Sequence, residues 1–141
     1  MKIVPFQDRH LAGIDRLWRE CFPDDPPRNK AAQSIPAKIA LGKELGEDLI
    51  LIAENESGEI VGTVMAGYDG HRGWLYAVAV DPDERRNGVG ATLVEHACQR
   101  LRALGCQKVN LQIRAGNEPV TTFYSSLGFE IEPRVSMGRE I

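Results

Sequence analysis

The stretch WLYAVAVDPDERRNGVG, residues 74–90, changes character twice and decides the fold. Its first seven residues are apolar on both alternating faces, a pattern typical of a central strand covered on both sides. The charged, glycine-broken DPDERRNG that follows predicts a turn. A helix is predicted next, ending before Gly105, which stands where a C-terminal cap belongs. Its apolar face comprises Val89, Leu93, Val94, Ala97, Leu101 and Leu104.

The run KVNLQI at residues 108–113 predicts a strand directly after this helix. A strand, a long helix and a strand within about forty residues form a right-handed crossover, so the two strands should be parallel. The turn RRNGVG, residues 85–90, then joins the carboxyl end of a central strand to the amino end of a helix. Open α/β sheets bind their ligands at this position.

The remainder of the chain also alternates strands and helices. In order, the patterns predict a strand at 3–6, a helix after Asp8, a proline-rich loop at 22–29, a short helix at 34–46 and an antiparallel strand pair at 49–54 and 60–68. The first helix has an apolar face made of Leu11, Ile14, Leu17, Trp18 and Cys21. The second has a weaker pattern because Gly42 interrupts it.

Composition indicates one globular domain spanning residues 1–141. The net charge of −3 supplies no basic field for nucleic acid, so we expect neither DNA nor RNA as a partner. No apolar stretch approaches the ~20 residues that cross a bilayer, and no secretion signal is evident, which favours a cytoplasmic protein without a membrane partner. The three cysteines and three histidines show no metal-binding spacing, so buried free thiols and no metal are expected.

The turn RRNGVG has the features of an anion site. Unpaired N–H groups at a helix amino terminus, with the helix dipole behind them, favour a phosphate, and glycine lets the phosphate approach the main chain. Residues 81–91 contain three acids and two arginines, so oriented amides must supply most of the attraction. The nucleoside-triphosphate loop is excluded because no Lys-Ser or Lys-Thr follows the glycines. A dinucleotide fingerprint is disfavoured because Leu93 replaces its third glycine.

Two segments resemble motifs of the GNAT superfamily, the GCN5-related N-acetyltransferases. Arg85-x-x-Gly88-x-Gly90 matches the R/Q-x-x-G-x-G/A signature of that superfamily, and Asn117, Tyr124 and Gly128-Phe129 match its N-x-x-A-x-x-x-Y-x-x-x-G-F segment. Val120 stands in place of the usual alanine and keeps an apolar contact. The stretch AGYDGHRG, residues 66–73, is similar to one found in small bacterial members. The resemblance covers nearly the whole chain.

The resemblance implies a fold of mixed α/β (α+β) class. Its central sheet is mixed and mostly antiparallel, with helices on both faces and final strands after the last helix. The strands of the parallel β-α-β crossover splay apart to bind acyl-CoA, so acetyl-CoA is the expected co-substrate. The residues implied to bind it are Val78, Ala79, Val80, Arg85, Arg86, Asn87, Gly88, Val89, Gly90, Ala91, Asn117 and Tyr124.

Each implied role has a structural alternative. Asn117 is also a good N-cap for a helix that has Pro119 in its first turn. Tyr124 can be a half-buried aromatic beside Phe123, which we expect in the core. The two arginines can belong to a solvated turn. Asp69 and His71 occupy a typical hairpin turn and can serve structure or acceptor recognition.

The implied reaction is direct attack of an amine on the acetyl carbon, with Tyr124 as catalytic residue assisting departure of the thiolate. A phenol pKa near ~10 against ~8.5 for a thiol favours a hydrogen bond over complete proton transfer. Cys98 and Cys106 lie away from the expected thioester, which disfavours covalent acetyl-cysteine chemistry.

The general base and the acceptor are not specified by the sequence. Gln112 stands where some members have a glutamate, which leaves Asp69, His71, Glu118 or ordered water as proton relays. The resemblance implies only that the acceptor is a primary amine of a small molecule, a peptide or a protein, and the absence of an evident base favours less basic amines. A homodimer, a non-catalytic acyl-CoA sensor and a non-catalytic interaction module also stay open.

Overall fold

A computed structural model describes residues 1–45 and 48–141. Internal contacts divide the chain into two units, Met1–Leu111 and Gln112–Ile141. The first unit contains the sheet and three helices, and the second contains one helix. A single domain over the whole chain stays a prediction.

The sheet of the first unit has five strands: β1 (Lys2–Pro5), β2 (Ile50–Glu54), β3 (Ile60–Tyr68), β4 (Gly73–Val80) and β5 (Val109–Asn110). They lie in the order β1-β2-β3-β4-β5. The first three pairings are antiparallel, and β4 and β5 are parallel. This confirms the mixed, mostly antiparallel sheet and the parallel crossover.

The helices of the first unit are α1 (Leu11–Cys21), α2 (Ala31–Leu45) and α3 (Val89–Ala103). Single 3₁₀ turns occur at Asp8–His10, Pro27–Asn29 and Pro82–Glu84. The second unit contains α4 (Glu118–Ser126). In the described ranges 1–45 and 48–141, no helix combines the length and apolarity that a bilayer span requires.

Neighbouring residues of β3 face helices on opposite sides of the sheet, as successive residues of a strand must. The buried Thr63 accepts a hydrogen bond from Trp18 Nε1 of α1 at 2.9 Å. On the other face a Cβ added to Gly62 would lie 2.8 Å from Leu93 Cδ1 and 2.9 Å from Val89 Cγ1 of α3. The absent side chain at Gly62 therefore lets α3 pack directly on the sheet, and helices on both faces are confirmed.

Two predicted elements differ from the structure. The second helix begins at Ala31 rather than residue 34, because Ala31 and Ile35 are both buried and anchor its first two turns. Pro36 lies inside this helix, and the predicted end at Gly46 falls outside the described residues. The strand predicted at 108–113 contains only Val109–Asn110, because pairing with β4 stops after two residue pairs.

The final strands implied by the resemblance are not formed in the second unit. After α4, residues 127–141 adopt neither helix nor strand. Their apolar side chains alternate with polar ones, as in a strand, yet Ile131, Val135 and Met137 are 84%, 90% and 93% exposed. Because no strand within the described part of the chain pairs with this segment, its apolar side chains stay in solvent.

A buried ionic cluster lies at the end of β2. Glu54 and His10 are both 1% exposed, and Glu54 Oε1 lies 2.7 Å from His10 Nε2. Since His10 Nδ1 accepts the Gln7 N–H at 2.9 Å, Nε2 carries the proton and donates it to the carboxylate. Arg9 Nη2 lies 2.6 Å from the same oxygen. The hydrogen bond from His10, followed by Arg9, lowers the pKa of Glu54 although burial opposes this shift.

The Glu54 cluster makes stability depend on acid pH. The pKa of Glu54 is lower in the folded protein than in the unfolded chain, where it is ~4.3. The cluster therefore stabilises the fold fully above pH ~4.3, and this stabilisation is lost as the pH falls through the folded-state pKa. We expect Glu54→Gln to lower the free energy of unfolding at pH 7 by about 3 kcal/mol, as loss of one partner of a buried pair does. Urea unfolding from pH 7 to pH 3 should show a flatter acid limb in this variant.

Asp15→Asn provides the matched control. Asp15 Oδ2 pairs with Arg19 Nε at 2.8 Å on the surface of α1, where such pairs contribute under about 1 kcal/mol. Equal losses of stability in the two variants would contradict a structural role for the buried cluster.

Candidate functional site

Strand β4 contains a bulge near its carboxyl end. Thr63 of β3 pairs with Ala79, and Met65 pairs with Tyr76, so two residues of β4 oppose Val64 alone. The extra residue forces Ala77 to a φ of 48°, which L-residues other than glycine rarely adopt. A sequence signal for the bulge is absent, since WLYAVAV reads as an uninterrupted strand.

Side chains from two elements hold the bulge in place. Thr63 Oγ1 donates to Ala77 O at 2.9 Å and accepts from Trp18 Nε1 at 2.9 Å. Thr63 is fully buried, so this relay from α1 through β3 to β4 is shielded from water. The bulged carbonyl is therefore fixed from the α1 face of the sheet.

One edge of β4 is open beyond the start of the strand. Its pairing with β5 is confined to Gly73–Val109 and Trp74–Asn110. In the described part of the chain, no strand pairs with residues 75–80 on the side away from β3. Val78 and Val80 thus offer main-chain groups to an extended ligand, whereas those of Ala79 point towards β3, because the Asp81 N–H, two residues further on, donates to Val61 O of that strand at 2.9 Å. Ala79 is buried and the two valines are half-buried.

The turn after β4 presents free amides. Asp81 Oδ1 accepts the Asp83 N–H at 2.9 Å, and the first helical bond of α3 runs from the Thr92 N–H to Gly88 O at 3.0 Å. Six residues have amides that form no hydrogen bond of normal length and angle within the part of the chain that the structure describes: Arg85, Arg86, Gly88, Val89, Gly90 and Ala91. The carboxyl end of β4 and this group of amides are therefore neighbours in the first unit.

The backbone of this turn suits an anion. Arg86 and Gly88 have φ values of 72° and 79°, and turns of this kind arrange successive N–H groups into anion-binding concavities. Val89 and Gly90 are buried and anchor the helix start, whereas residues 85–88 are exposed. A Cβ at Gly88 would meet nothing within 4 Å, so the glycine serves the left-handed conformation rather than close packing.

The polar side chains of the turn form few hydrogen bonds or ion pairs within the described part of the chain. Arg85 Nη2 lies 4.0 Å from Cys21 Sγ, and Asn87 Nδ2 donates to Glu84 Oε2 at 3.1 Å. Arg86 forms no ion pair with any described carboxylate. Both arginines are exposed, so they can turn towards a ligand at small cost.

Asn117 occupies the N-cap of α4 in the second unit, as one alternative predicted. Its carbonyl accepts the Thr121 N–H at 3.2 Å, but its side chain caps no amide of the helix. The side chain is exposed. The carboxamide is therefore available for a ligand, and only the main chain fulfils the capping role.

Tyr124 of α4 is more buried than expected, with 7% exposure, whereas Phe123 is half-buried rather than in the core. Phe123 and Phe129 make edge contacts with the Tyr124 ring at centroid distances of 4.9 and 5.6 Å. Burial raises the pKa of Tyr124 to about 12. The hydroxyl is therefore a neutral hydrogen-bond donor at physiological pH.

The other candidate groups are less suited to proton transfer. Asp69 Oδ1 accepts the His71 and Arg72 N–H groups at 2.7 Å each, and these bonds, that of Arg72 first, lower the pKa of Asp69. A carboxylate stabilised in this way is a weak base, which supports the structural alternative. Glu118 is exposed at the first position of α4. Gln112 donates to Ser136 Oγ in the second unit.

The cysteines are free, but they are not all buried as expected. Cys106 is buried, whereas Cys21 and Cys98 are half-buried. Burial raises the pKa of both half-buried thiols, which therefore stay protonated and poorly nucleophilic. Within ranges 1–45 and 48–141, no group of three or more His, Cys, Asp or Glu is placed to hold a metal ion.

A separate concavity lies elsewhere in the first unit. An apolar groove of about 300 Å³ runs between the start of α1 and the middle of α2, with Asp8 and Lys43 at its rim. None of the residues predicted to bind acyl-CoA lines this groove.

Comparison with known proteins identifies the family of this chain. The family model described as the acetyltransferase (GNAT) family matches residues 11–129. The chain belongs to the GNAT family. Among its GNAT relatives, the acetyltransferase SG1711 of Sodalis glossinidius is 36% identical over 137 residues, which cover 96% of this chain and 91% of the relative.

Solved structures share the GNAT fold. Ard1 from Thermoplasma volcanium superposes with a TM-score of 0.78 at 22% identity, covering 93% of this chain and 83% of that one. AAC(6')-Iy, solved with the bisubstrate analogue CoA-S-monomethyl-acetylneamine, superposes with a TM-score of 0.73 at 22% identity, covering 99% and 97%. At this identity the likeness shows the fold alone.

The relay that holds the bulge can be tested by Thr63→Val. Removing the hydroxyl leaves the Trp18 indole N–H and the Ala77 carbonyl without this partner, which should lower the free energy of unfolding by about 2 kcal/mol. The control is Thr92→Val, because Thr92 Oγ1 bonds Gly88 O in an exposed setting at 2.8 Å. Chemical denaturation showing equal changes in the two variants would contradict the relay.

Proposed function

We propose that this GNAT protein transfers the acetyl group of acetyl-CoA to a primary amine of a small molecule or a peptide. The observation that carries the proposal is the group of free amides at the start of α3, directly after the open edge of β4. A diphosphate satisfies such amides, and an extended amide-containing arm pairs with such an edge. The residues therefore fit coenzyme A.

The binding roles follow from these positions. The main-chain groups of Val78 and Val80, on either side of Ala79, pair with the pantetheine arm. The free amides of residues 85, 86 and 88–91 hold the diphosphate, and Arg85 and Arg86 add charge from the solvent side. The positive end of the α3 dipole reinforces this attraction, which the net charge of the chain does not supply. The free carboxamide of Asn117 adds a hydrogen bond to the arm.

Tyr124 stabilises the departing sulfur by donating a hydrogen bond. As the amine lone pair attacks the acetyl carbon, the C–S bond breaks and negative charge develops on sulfur. With a phenol pKa of about 12 against ~8.5 for a thiol, complete proton transfer would be uphill by about 5 kcal/mol. The hydroxyl therefore keeps its proton, and the thiolate takes a proton from solvent.

The amine loses its own proton to ordered water. Asp69 already accepts two backbone N–H groups, and His71 and Glu118 are exposed groups that can relay a proton to bulk solvent. Without a committed base, the cost of forming the neutral amine matters. At pH 7 this cost is ~4.6 kcal/mol for a lysine-like amine and ~1 kcal/mol for an α-amine, so less basic amines should be preferred.

The cellular location and the oligomeric state of the protein are also part of the proposal. Free thiols persist in a reducing compartment, in keeping with a cytoplasmic location. The alternating apolar residues after α4 suit strand pairing with a second copy, so a homodimer stays a prediction that analytical ultracentrifugation can test.

Gly88→Ala tests diphosphate binding. Forcing a side chain onto a φ of 79° disturbs the turn, so calorimetry should show acetyl-CoA binding weakened by about tenfold. Gly105→Ala is the control, because it carries similar strain at a φ of 92° beyond the end of α3. If both variants bind acetyl-CoA as the unaltered protein does, the amide turn is not the diphosphate site.

Tyr124→Phe tests the role of the hydroxyl. Loss of one donor to developing charge lowers kcat by about 10²-fold, with acetyl-CoA affinity unchanged. Release of free thiol with a panel of amines and peptides measures this effect, and Tyr68→Phe is the control. Binding of acetyl-CoA without thiol release for any amine would instead identify a sensor. No binding at all would leave only an interaction module.

A further inference from the structure

Helix α2 places a regular row of polar side chains over β3. Ser34 and Lys38 are one turn apart and therefore share a helix face. Ser34 Oγ lies 3.9 Å from Met65 Sδ, and Lys38 Nζ lies 3.4 Å from the position of a Cβ added to Gly67. Four residues of helix rise about 6 Å and two residues of strand about 6.6 Å, so α2 follows β3 in register here.

Gly67 makes room for the lysine head group. Its φ is outside the left-handed range, so its backbone does not require glycine. A Cβ at residue 67 would instead lie in van der Waals contact with the ammonium group and with the ring of Tyr76, whose Cε2 is also 3.4 Å away. The missing side chain thus brings an ammonium and a phenol together on one face of the sheet.

This cluster of Lys38, Gly67 and Tyr76 adjoins the bulge. Tyr76 pairs with Met65 and immediately precedes Ala77, so its Cα is about 3.8 Å from that of the bulged residue. Tyr76 is 51% exposed, an unusual degree for an aromatic residue of an inner strand. The cluster therefore faces solvent just after the point where β5 stops pairing with β4.

The ammonium group of Lys38 has no counter-ion among the side chains that the structure describes. Among the residues whose side chains the structure describes, no carboxylate lies within 4.0 Å of Lys38 Nζ. The residue is half-buried, and this burial lowers the pKa of Lys38. Asp69 is close enough to raise the pKa of Tyr76, after the larger effect of burial, but its Oδ1 accepts two N–H groups of its own turn. A partly desolvated cation without a partner is relieved by an anion from outside.

We propose that Lys38 and Tyr76 form a subsite for an anionic group, a carboxylate or a phosphate, carried by the acceptor amine. The inference rests on the proposed function, because it identifies the substrate class of the same reaction. Lys38 supplies the charge, Tyr76 supplies a hydroxyl donor, and Gly67 supplies the space. The acceptors are therefore small amines or peptides that carry a negative charge close to the amine.

The first experiment compares matched acceptors in a free-thiol assay. The carboxylate pair is L-alanine and L-alaninamide, and the phosphate pair is phosphoethanolamine and ethanolamine. The ratio of kcat/KM within a pair is measured for the unaltered protein, for Lys38→Met and for Tyr76→Phe. Comparing this ratio between proteins cancels the intrinsic reactivity of each amine.

We expect Lys38→Met to reduce the ratio by about tenfold for at least one pair, mainly through KM of the anionic acceptor. Tyr76→Phe should reduce it by about threefold, and KM for acetyl-CoA should not change. The acceptor pair whose kcat/KM ratio falls shows whether the subsite binds a carboxylate or a phosphate. Lys43→Met, which removes an exposed lysine of the same helix, should leave both ratios unchanged. The subsite is refuted if Lys38→Met leaves both ratios unchanged, or lowers kcat equally for charged and neutral acceptors.

A second measurement does not depend on turnover. Acetate and inorganic phosphate are titrated into the protein while the amide NMR signals of Gly67 and Tyr76 are followed. Saturable shifts that Lys38→Met abolishes and Lys43→Met retains support the subsite even if acetyl-CoA does not bind. Equal shifts in all three proteins, or none, overturn it even if acetyl-CoA binds and reacts.

Discussion

The early end of pairing between β4 and β5 is the constraint on which the site depends. Two parallel residue pairs join these strands, after which one edge of β4 is left without a strand partner in the described chain. Unpaired main-chain groups are tolerated where water or a ligand satisfies them. The fold therefore provides at one strand edge the hydrogen-bonding groups that an extended ligand needs.

The remainder of the first unit compensates for this open edge. Helix α3 packs on Gly62 of the neighbouring strand, which holds its amino terminus near the end of β4 without pairing from β5. The Trp18–Thr63–Ala77 relay fixes the bulge from the other face. The buried His10–Glu54 pair secures β2 to the start of α1. Rigid elements thus surround a stretch of backbone that is itself left free to bind.

The local parts of this arrangement could be predicted from the sequence. The crossover, the glycine turn and α3 follow from apolar spacing and cap residues within one continuous segment. Non-local contacts could not be predicted in the same way. The bulge depends on how β4 aligns with β3, and His10 and Glu54 meet across 44 positions of the chain. Tyr124 and Phe123 differ in burial because neighbouring residues of a helix point in different directions, and the sequence alone does not specify which direction is buried.

The residues of the candidate site also differ in whether the sequence predicts them. Residues 85–91, Asn117 and Tyr124 were found because they stand at motif spacing. Lys38 and Tyr76 have no such signal, because a lysine on a helix and a tyrosine in a strand are common. Their meeting over Gly67 depends on how α2 packs on β3, which only the packed structure reveals.

Amide hydrogen exchange measured with and without acetyl-CoA tests the central claim most directly. If the open edge and the free amides hold the co-substrate, exchange should slow at residues 78, 80 and 88–91, while the fully paired middle of β3 should not change. Acetyl-CoA binding detected by calorimetry without slower exchange in either segment would contradict the account.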